Sequence, residues 1–190
     1  MRGTAILTKT GITLTNITKI PSGCARAVEH RGTLLVNVYT PSATAKRNER
    51  EHFYNTELPY LLRTTPARMI LGGDFNCVLV KADTTGQYQY SRALAELING
   101  FAIMDTWHQN PVRPAYTHHF NNGTTRIDQI YTTQELLAKK IGIEIVAAAF
   151  TDHHAVKLRI VVDTPILRMG RGHWKINTAM FPDVSGQVKL

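Results

Sequence analysis

A carboxylate and an amide follow a short apolar segment in the first half of the chain. Asp74 and Asn76 come just after the segment Arg68–Leu71 and two glycines. If the backbone continues extended, alternation places Asp74 and Asn76 on one side and sends Phe75 into the core. An anionic acceptor beside an amide can hold a water molecule and a phosphate oxygen. The segment is equally typical of a polar turn that follows a core strand.

A second candidate is an acid–histidine pair late in the chain. Asp152 and His153 precede the apolar segment Ala155–Val162, and a histidine can accept a proton from water near neutral pH. Asp128 suits the role of a partner that fixes the imidazole tautomer, which leaves Asp152 to bind a metal ion. Each residue also has a simpler interpretation, since Asp128 is compatible with an exposed strand face and Asp152 with a capped strand start.

Two pairs of adjacent histidines, His118–His119 and His153–His154, are of a residue type that zinc sites use. Successive side chains of an extended chain point to opposite sides, so the two members of a pair are not placed to bind one ion. Adjacency in the sequence therefore argues against a zinc pair at either position.

The elements that must position these residues are mainly strands. Alternating β-branched segments predict a hairpin of Thr4–Thr8 and Ile12–Ile17 around Gly11, and Asn-Gly at 122–123 predicts a second hairpin. Strands outnumber helices, which favours an α/β fold, a layered α/β sandwich with mixed sheets, over a doubly wound parallel sheet. The other predicted strands are Thr33–Tyr39, Arg68–Leu71, Tyr116–Phe120, Thr124–Tyr131, Ile141–Ala149 and Ala155–Val162, and the predicted helices are Arg47–Arg63, Arg92–Asn99 and Gln134–Lys140.

Composition sets the broad class of the protein. The chain has 190 residues, 43% of them hydrophobic and 19% charged, which indicates one globular domain and excludes a disordered or fibrous chain. We expect the domain to cover residues 1–163 and residues 164–190 to form a linker. A formal net charge of +8 favours polyanionic partners, although a merely soluble basic protein is about equally compatible. Two cysteines and no secretory signal predict the nucleus or cytoplasm.

The order of these motifs resembles that of the endonuclease/exonuclease/phosphatase superfamily. Within it, the sequence is similar to the apurinic-endonuclease-like domain at the start of non-LTR (LINE-type) retrotransposon polyproteins. The resemblance covers about Thr4 to Val162, and the tail Arg171–Asn177 is similar to the segment that leads towards a reverse transcriptase. The motifs that carry it are Asn37–Pro41, Gly73–Asn76, Arg126–Ile130 and Thr151–Val156.

The resemblance implies a DNase I-like fold, with two mixed sheets flanked by helices, and a Mg²⁺-dependent endonuclease, with Mn²⁺ as a substitute ion. It would nick target DNA so that the 3′-hydroxyl primes reverse transcription of the element's RNA. The isolated domain is expected to be a monomer with no membrane partner. By position, the resemblance implies that His153 is the general base, Asp128 orients it, Asp152 belongs to the metal and phosphate site, Asp74 positions the water or protonates the leaving oxygen, Asn76 holds the nucleophile and phosphate, and Tyr39 supports the phosphate.

The predicted hairpin at 121–123 matches the loop that such enzymes project towards DNA. The resemblance implies that His118, His119, Asn121 and Arg126 contact the duplex and that Thr117 lies near the scissile strand. A solvent-facing tight turn is the competing interpretation for any one of these residues.

One departure from the family pattern bears on activity. The family's opening strands carry an Asn and a metal-binding Glu, and this chain begins past both, so we expect an N-terminally truncated copy that lacks its opening strands. Loss of an anionic ligand predicts weak Mg²⁺ binding and low or no nicking by this polypeptide alone. The alternatives are a non-catalytic DNA-binding remnant and a phosphatase-type member of the superfamily.

Overall fold

A computed structural model describes residues 3–62, 67–107, 115–120 and 123–161. Asn121 and the predicted linker 164–190 lie outside these ranges. The described strands are β1 (Thr15–Lys19), β2 (Ala25–His30), β3 (Thr33–Tyr39), β4 (Met69–Asp74), β5 (Ile103–Asp105), β6 (His118–Phe120), β7 (Gly123–Thr125), β8 (Asp128–Thr133), β9 (Lys140–Val146) and β10 (Ala155–Ile160). The described helices are α1 (Arg47–His52), α2 (Leu58–Leu61), α3 (Arg92–Gly100) and α4 (Gln134–Leu137), and a π-helical turn, Phe53–Glu57, joins α1 to α2.

A mixed sheet of six strands forms the centre of the described fold. Its order is β1-β2-β3-β4-β8-β5, and β3 and β4 are its parallel neighbours while the other pairs are antiparallel. Two antiparallel pairs, β9–β10 and β6–β7, complete the described strands. A mixed sheet with flanking helices confirms the predicted α/β architecture.

The main core lies on one face of the central sheet. Alternation along β3 and β4 sends Leu34, Val36, Met69 and Leu71 to this face, where all four are buried. The helices contribute the rest of the same apolar cluster, since burying one face of each element against the other is what stabilises a layered fold. Their buried members include Phe53, Tyr54, Leu58, Leu94, Leu97 and Ile98.

The opposite face of the central sheet meets β9–β10 across a partly filled space. Leu35, Ile70 and Ile130 are only half-buried, and with Ala155 and Val156 of β10 they line a cavity of about 320 Å³. The burial pattern of β10 alternates between exposed and intermediate, so this strand has no fully buried residue. Packing is therefore weaker on this side of the sheet than on the helical side.

Several sequence predictions of the elements are confirmed. β3 has the predicted bounds, and α3 begins after Ser91, whose side chain accepts a hydrogen bond from the Leu94 amide in the manner of an N-cap. The predicted strand Thr4–Thr8 is wrong, because these residues form no strand. The strand β1 pairs instead with β2, and β2 is a strand that the sequence reading missed. Among the described residues, no helix is long and apolar enough to cross a membrane.

Candidate active site

The ends of β3 and β4 bring Tyr39, Asp74 and Asn76 to one edge of the central sheet. Tyr39 and Asp74 are register partners in the parallel pair β3–β4. The extended backbone predicted after Asp74 does not continue, since Asn76 has a φ of 47°. Two hydrogen bonds hold this turn: the Asn76 amide donates to Asp74 Oδ1 (2.9 Å), and Asn76 Nδ2 donates to the Thr40 carbonyl (3.0 Å). Phe75 is fully buried, as predicted.

The acid–histidine pair forms in space between residues 25 positions apart. His153 Nδ1 lies 2.9 Å from Asp128 Oδ2, so the carboxylate accepts the Nδ1 proton and leaves Nε2 as the proton acceptor of the neutral ring. Asp128 begins β8 and is the register partner of Asp74. Ligand atoms of Asp74, Asp128 and His153 all lie within 4.8 Å of one another. Four segments distant in the sequence therefore meet at one edge.

Asp152 lies on a different side of His153 from this carboxylate pair. An isolated antiparallel bridge pairs His118 of β6 with His153, and His118 Nε2 lies 3.4 Å from Asp152 Oδ2. His118, Asp152 and His153 form a second group whose ligand atoms lie within 4.8 Å of one another. The described residues thus offer two candidate cation positions that share His153.

A cavity of about 390 Å³ opens onto these residues. Tyr39, Asp74, Asn76, His118 and His153 line it, and the Tyr39 side chain is accessible, with the residue 37% exposed. The sequence reading missed other residues of its wall, because they carry no motif and most of them lie in irregular segments. These residues include Ser42, Ala43, Gln87, Gln89 and Phe120.

One buried arginine ties together two of the missed wall segments. Arg50 Nη1 donates to the Pro41 carbonyl (2.8 Å), and Nη2 donates to Gln89 Oε1 (3.3 Å). Arg50 is 2% exposed, and a buried cation without partners would be costly, so these contacts fix both segments relative to α1. Charged residues in a short polar helix are ordinarily interpreted as solvent-facing, and for that reason no local pattern indicates this role.

The electrostatics of the site are dominated by Asp74. Burial, together with the negative charge of Asp128, raises the pKa of Asp74 from 3.8 to about 6, and the hydrogen bond from the Asn76 amide offsets part of this rise. The pKa of Asp152 is lowered, chiefly by a hydrogen bond from its own backbone amide. Asp152 is therefore an exposed anion, whereas Asp74 gains and loses its proton close to neutral pH.

A divalent cation fits this carboxylate arrangement. Asp74 and Asp128 offer oxygen ligands within 4.8 Å, and hard cations prefer carboxylate oxygens. Burial is the main cause of the raised Asp74 pKa and repulsion from Asp128 adds to it; a bound cation would offset this repulsion.

Two of the predicted DNA contacts are wrong for a physical reason. Arg126 is 3% exposed, and its guanidinium pairs with Asp83 and Asp105 (2.6 and 2.5 Å). Burial alone would lower the Arg126 pKa, but the hydrogen bonds and charges of the two aspartates raise it above its usual value. Thr117 is also fully buried, and its hydroxyl accepts a hydrogen bond from the Asp128 amide (3.0 Å). Both residues support the site from the protein interior.

The two remaining histidines of the predicted DNA contact occupy different environments. His118 lines the cavity, stacked on Phe120 at 5.5 Å between ring centroids. Because neighbouring side chains of a strand point to opposite sides, His119 lies on the other side of the strand from His118, where its ring centroid is 4.6 Å from that of His154. DNA contact by His118 and His119 stays a prediction, and the partner predicted at 121 lies outside the described residues.

The profile of the endonuclease/exonuclease/phosphatase family matches residues 1–153. The chain belongs to this family. Its members are usually nuclease or phosphatase hydrolases and commonly use divalent metal ions. Among curated proteins, the chain is 30% identical over 158 residues to the transposon TX1 uncharacterized 149 kDa protein of Xenopus laevis. The match covers 78% of this chain and 12% of that protein, so this chain spans about an eighth of its relative's length.

Solved structures of this family share the fold at low sequence identity. The 3′ phosphatase NExo from Neisseria, bound to a product DNA hairpin, matches with a TM-score of 0.69 and 17% identity. An AP endonuclease from Archaeoglobus fulgidus matches with a TM-score of 0.69 and 14% identity. Each match covers 80% of this chain and 72% of the other, which confirms the predicted DNase I-like fold.

Proposed function

We propose that this domain nicks DNA by metal-dependent phosphodiester hydrolysis and so primes target-site reverse transcription of a non-LTR retrotransposon. The observation that carries the proposal is the Asp128–His153 pair at 2.9 Å, beside Asp74 and Asn76 at the edge of one cavity. The retrotransposon context rests on the similarity to the Xenopus transposon protein. In that context the element's RNA is a partner of the longer polyprotein rather than of this domain.

The chain's own residues would perform the proton transfers. Nε2 of neutral His153 accepts a proton from the attacking water, and Asp128 stabilises the imidazolium that forms. Such general-base assistance typically contributes about 10²–10⁴-fold. Asp74, whose carboxylate would also hold the metal ion, can orient the attacking water. Asn76 and Tyr39 line the same cavity and would hold the phosphate.

Mg²⁺ is the ion we propose for this site, with Mn²⁺ as a substitute. Asp74 would hold it, with Asp152 as the further ligand inferred from the sequence. When bound, the ion would neutralise the charge that grows on the phosphoryl oxygens. In the described part of the chain, neither candidate group includes a glutamate, so the carboxylate set is small and we expect slow turnover by this chain alone.

DNA is the substrate that the charge of the molecule favours. A formal net charge of +8 attracts polyanions, and the cavity is bordered by exposed aromatic rings at Tyr39 and Phe120 against which a sugar or base can pack. One structural relative carries a DNA hairpin, which supports the same substrate class here.

The test is conversion of supercoiled plasmid to the nicked circle at high enzyme concentration with Mg²⁺. We expect slow nicking that EDTA abolishes and that His153→Ala reduces by about 10²-fold or more. His154→Ala is the matched control, since its ring pairs with His119, and it should retain the wild-type rate.

Three results would contradict the proposal. Equal nicking by wild type and His153→Ala would show that the cleavage comes from elsewhere. Binding of DNA without any His153-dependent cleavage would favour the non-catalytic remnant, and His153-dependent release of phosphate from small monoesters alone would favour a phosphatase.

A further inference from the structure

Four of the eight histidines form two cross-strand pairs, His118 with His153 and His119 with His154. The bridge between β6 and the segment before β10 places His118 beside His153, with ring centroids 4.4 Å apart. Alternation sends His119 and His154 to the other side, where they form their own pair. The first pair has a carboxylate within reach, at Asp152. Histidines that are unsuited to share an ion with their sequence neighbours are thus paired across strands.

We propose that His118, Asp152 and His153 form a binding site for Zn²⁺ or a similar late first-row cation, centred on the two imidazoles and sharing only Asp152 with the Mg²⁺ position proposed above. Two imidazole nitrogens and one carboxylate oxygen suit such ions, whereas Mg²⁺ prefers an all-oxygen set. The three ligand atoms lie within 4.8 Å of one another, and tetrahedral zinc needs them about 3.3 Å apart, given a Zn–N distance of about 2.0–2.1 Å. Rotation of Asp152, whose side chain is 65% exposed, supplies the adjustment.

The two histidines are already arranged as ligands. His153 donates its Nδ1 proton to Asp128, the carboxylate–histidine arrangement that orients a ligating imidazole, and this leaves Nε2 as the ring nitrogen that can bind an ion. His118 Nε2 faces Asp152, and no hydrogen bond holds its buried Nδ1 among the described residues. Among the described contacts, neither imidazole ring has a hydrogen bond to the backbone that would have to break for the ring to bind a cation. Three protein ligands leave a fourth position for water or a phosphate oxygen.

The site would act as an inhibitory one, and this part rests on the proposed function. Nε2 of His153 cannot accept a proton from water while it is bound to a cation. Zinc would therefore suppress nicking by removing the general base, and excess Mg²⁺ would compete with it for Asp152 but not for the two imidazoles.

Binding can be measured without any activity, on the full chain, by titrating Co²⁺ and following its visible ligand-field absorption, with Zn²⁺ as the competitor. His118→Gln and Asp152→Asn should each weaken binding at least about tenfold, since loss of even a supporting group around a metal site costs that much. Asp152→Asn alters an exposed side chain, so it tests the site even if His118→Gln impairs folding. His154→Gln is the matched control and should bind as wild type does.

The outcomes for binding and inhibition are distinct. Co²⁺ absorption that is unchanged by both His118→Gln and Asp152→Asn would overturn the site. Zinc that inhibits wild type and His118→Gln equally would overturn the inhibitory role, whereas inhibition that is relieved in His118→Gln would support it. If no nicking is detected at all, the proposed function fails, while the Co²⁺ titration still decides the site.

Discussion

At the scale of single residues, the site combines one buried acid whose ionisation is unfavourable with one exposed acid whose ionisation is favoured. Burial and the charge of Asp128 hold the pKa of Asp74 at about 6, whereas the pKa of Asp152 is lowered. Perturbed acids of this kind concentrate where catalysis or ion binding needs them. A buried acid such as Asp74 lowers the stability of the folded state when it is ionised, so its contribution can be measured by unfolding experiments.

The sign of the Asp74 effect follows from linkage. Its folded pKa of about 6 lies above the ordinary value of 3.8, so the folded state binds this proton more tightly than the unfolded state does. The stability that this gives is present below pH 4 and is lost as the pH rises towards 6 and above. A difference of about two between the folded and unfolded pKa values corresponds to about 1–3 kcal/mol in the free energy of unfolding, after allowance for screening.

Asp74→Asn should therefore stabilise the fold at pH 8 by about 1–3 kcal/mol and change it little at pH 4. Asparagine keeps an oxygen that can accept the Asn76 amide hydrogen bond, so the substitution removes charge with little change of shape. Urea unfolding of both proteins at the two pH values measures the difference. Asp152→Asn is the control, and its stability should change little at either pH; equal effects of Asp74→Asn at pH 4 and pH 8 would contradict the assignment.

Residue types and their order predicted that Asp74, Asp128 and His153 come together, but not every contact that the candidate residues make. The carboxylate partner of His153 was predicted as Asp128, and the two are 2.9 Å apart. Arg126 was predicted to contact DNA because the hairpin beside it matches the loop that the family's enzymes project towards DNA. Its burial depends on Asp83 and Asp105, which lie 43 and 21 positions away, so no local pattern around Arg126 reveals it.

At the scale of elements, the close approach of β3 and β4 places Asp74. Val38 and Gly73 are register partners in this parallel pair, and Gly73 has a φ of +142°. A Cβ atom at Gly73 would lie 2.0 Å from the Val38 carbonyl oxygen, which is far inside van der Waals contact. A Cβ atom at the neighbouring Gly72 would lie 3.4 Å from the Ile130 side chain and 3.7 Å from the Gln129 carbonyl oxygen, which are ordinary van der Waals distances.

Gly73→Ala should lower the free energy of unfolding by at least about 2 kcal/mol, from backbone strain and from separation of the strands. Gly72→Ala, one position away in the same strand, should change it by less than about 1 kcal/mol. Chemical denaturation compares the two variants with wild type. A loss that is equal in both would show that loss of glycine itself, rather than the contact with Val38, matters.

The elements that sequence patterns predicted correctly are those whose local signals agree with their packing. β3 alternates β-branched and apolar residues, and α3 has an N-cap serine, so both were found. β2 was missed because Ala25 and Ala27 have low strand propensity, and what keeps them extended is burial between neighbouring strands. Thr4–Thr8 has the opposite property, since strong strand propensity there has no neighbouring strand to pair with among the described residues.

At the scale of the whole molecule, the site spans two layers of different stability. Asp74 and Asp128 belong to the central sheet, which is packed on the helices, whereas His153 precedes β10 of the two-stranded pair β9–β10. A two-stranded pair is marginal on its own, and the cavity of about 320 Å³ between the layers removes packing that would hold it. The segment around His153 is fastened locally, since the His154 amide donates to the Thr117 carbonyl and the His119 amide to the Asp152 carbonyl.

Amide hydrogen exchange should therefore divide the molecule by layer. We expect amides of β3 and β4 to exchange only on global unfolding, amides of β10 to exchange through a smaller local opening, and the His154 amide to fall between them. Exchange followed by NMR measures each class, and one common protection factor for β3 and β10 would show that the layers open together.

Local opening carries His153 away from Asp128 while the core stays folded. Nicking should accordingly fall at a lower urea concentration than the fluorescence of the buried Trp107 changes, and coincident midpoints would contradict this.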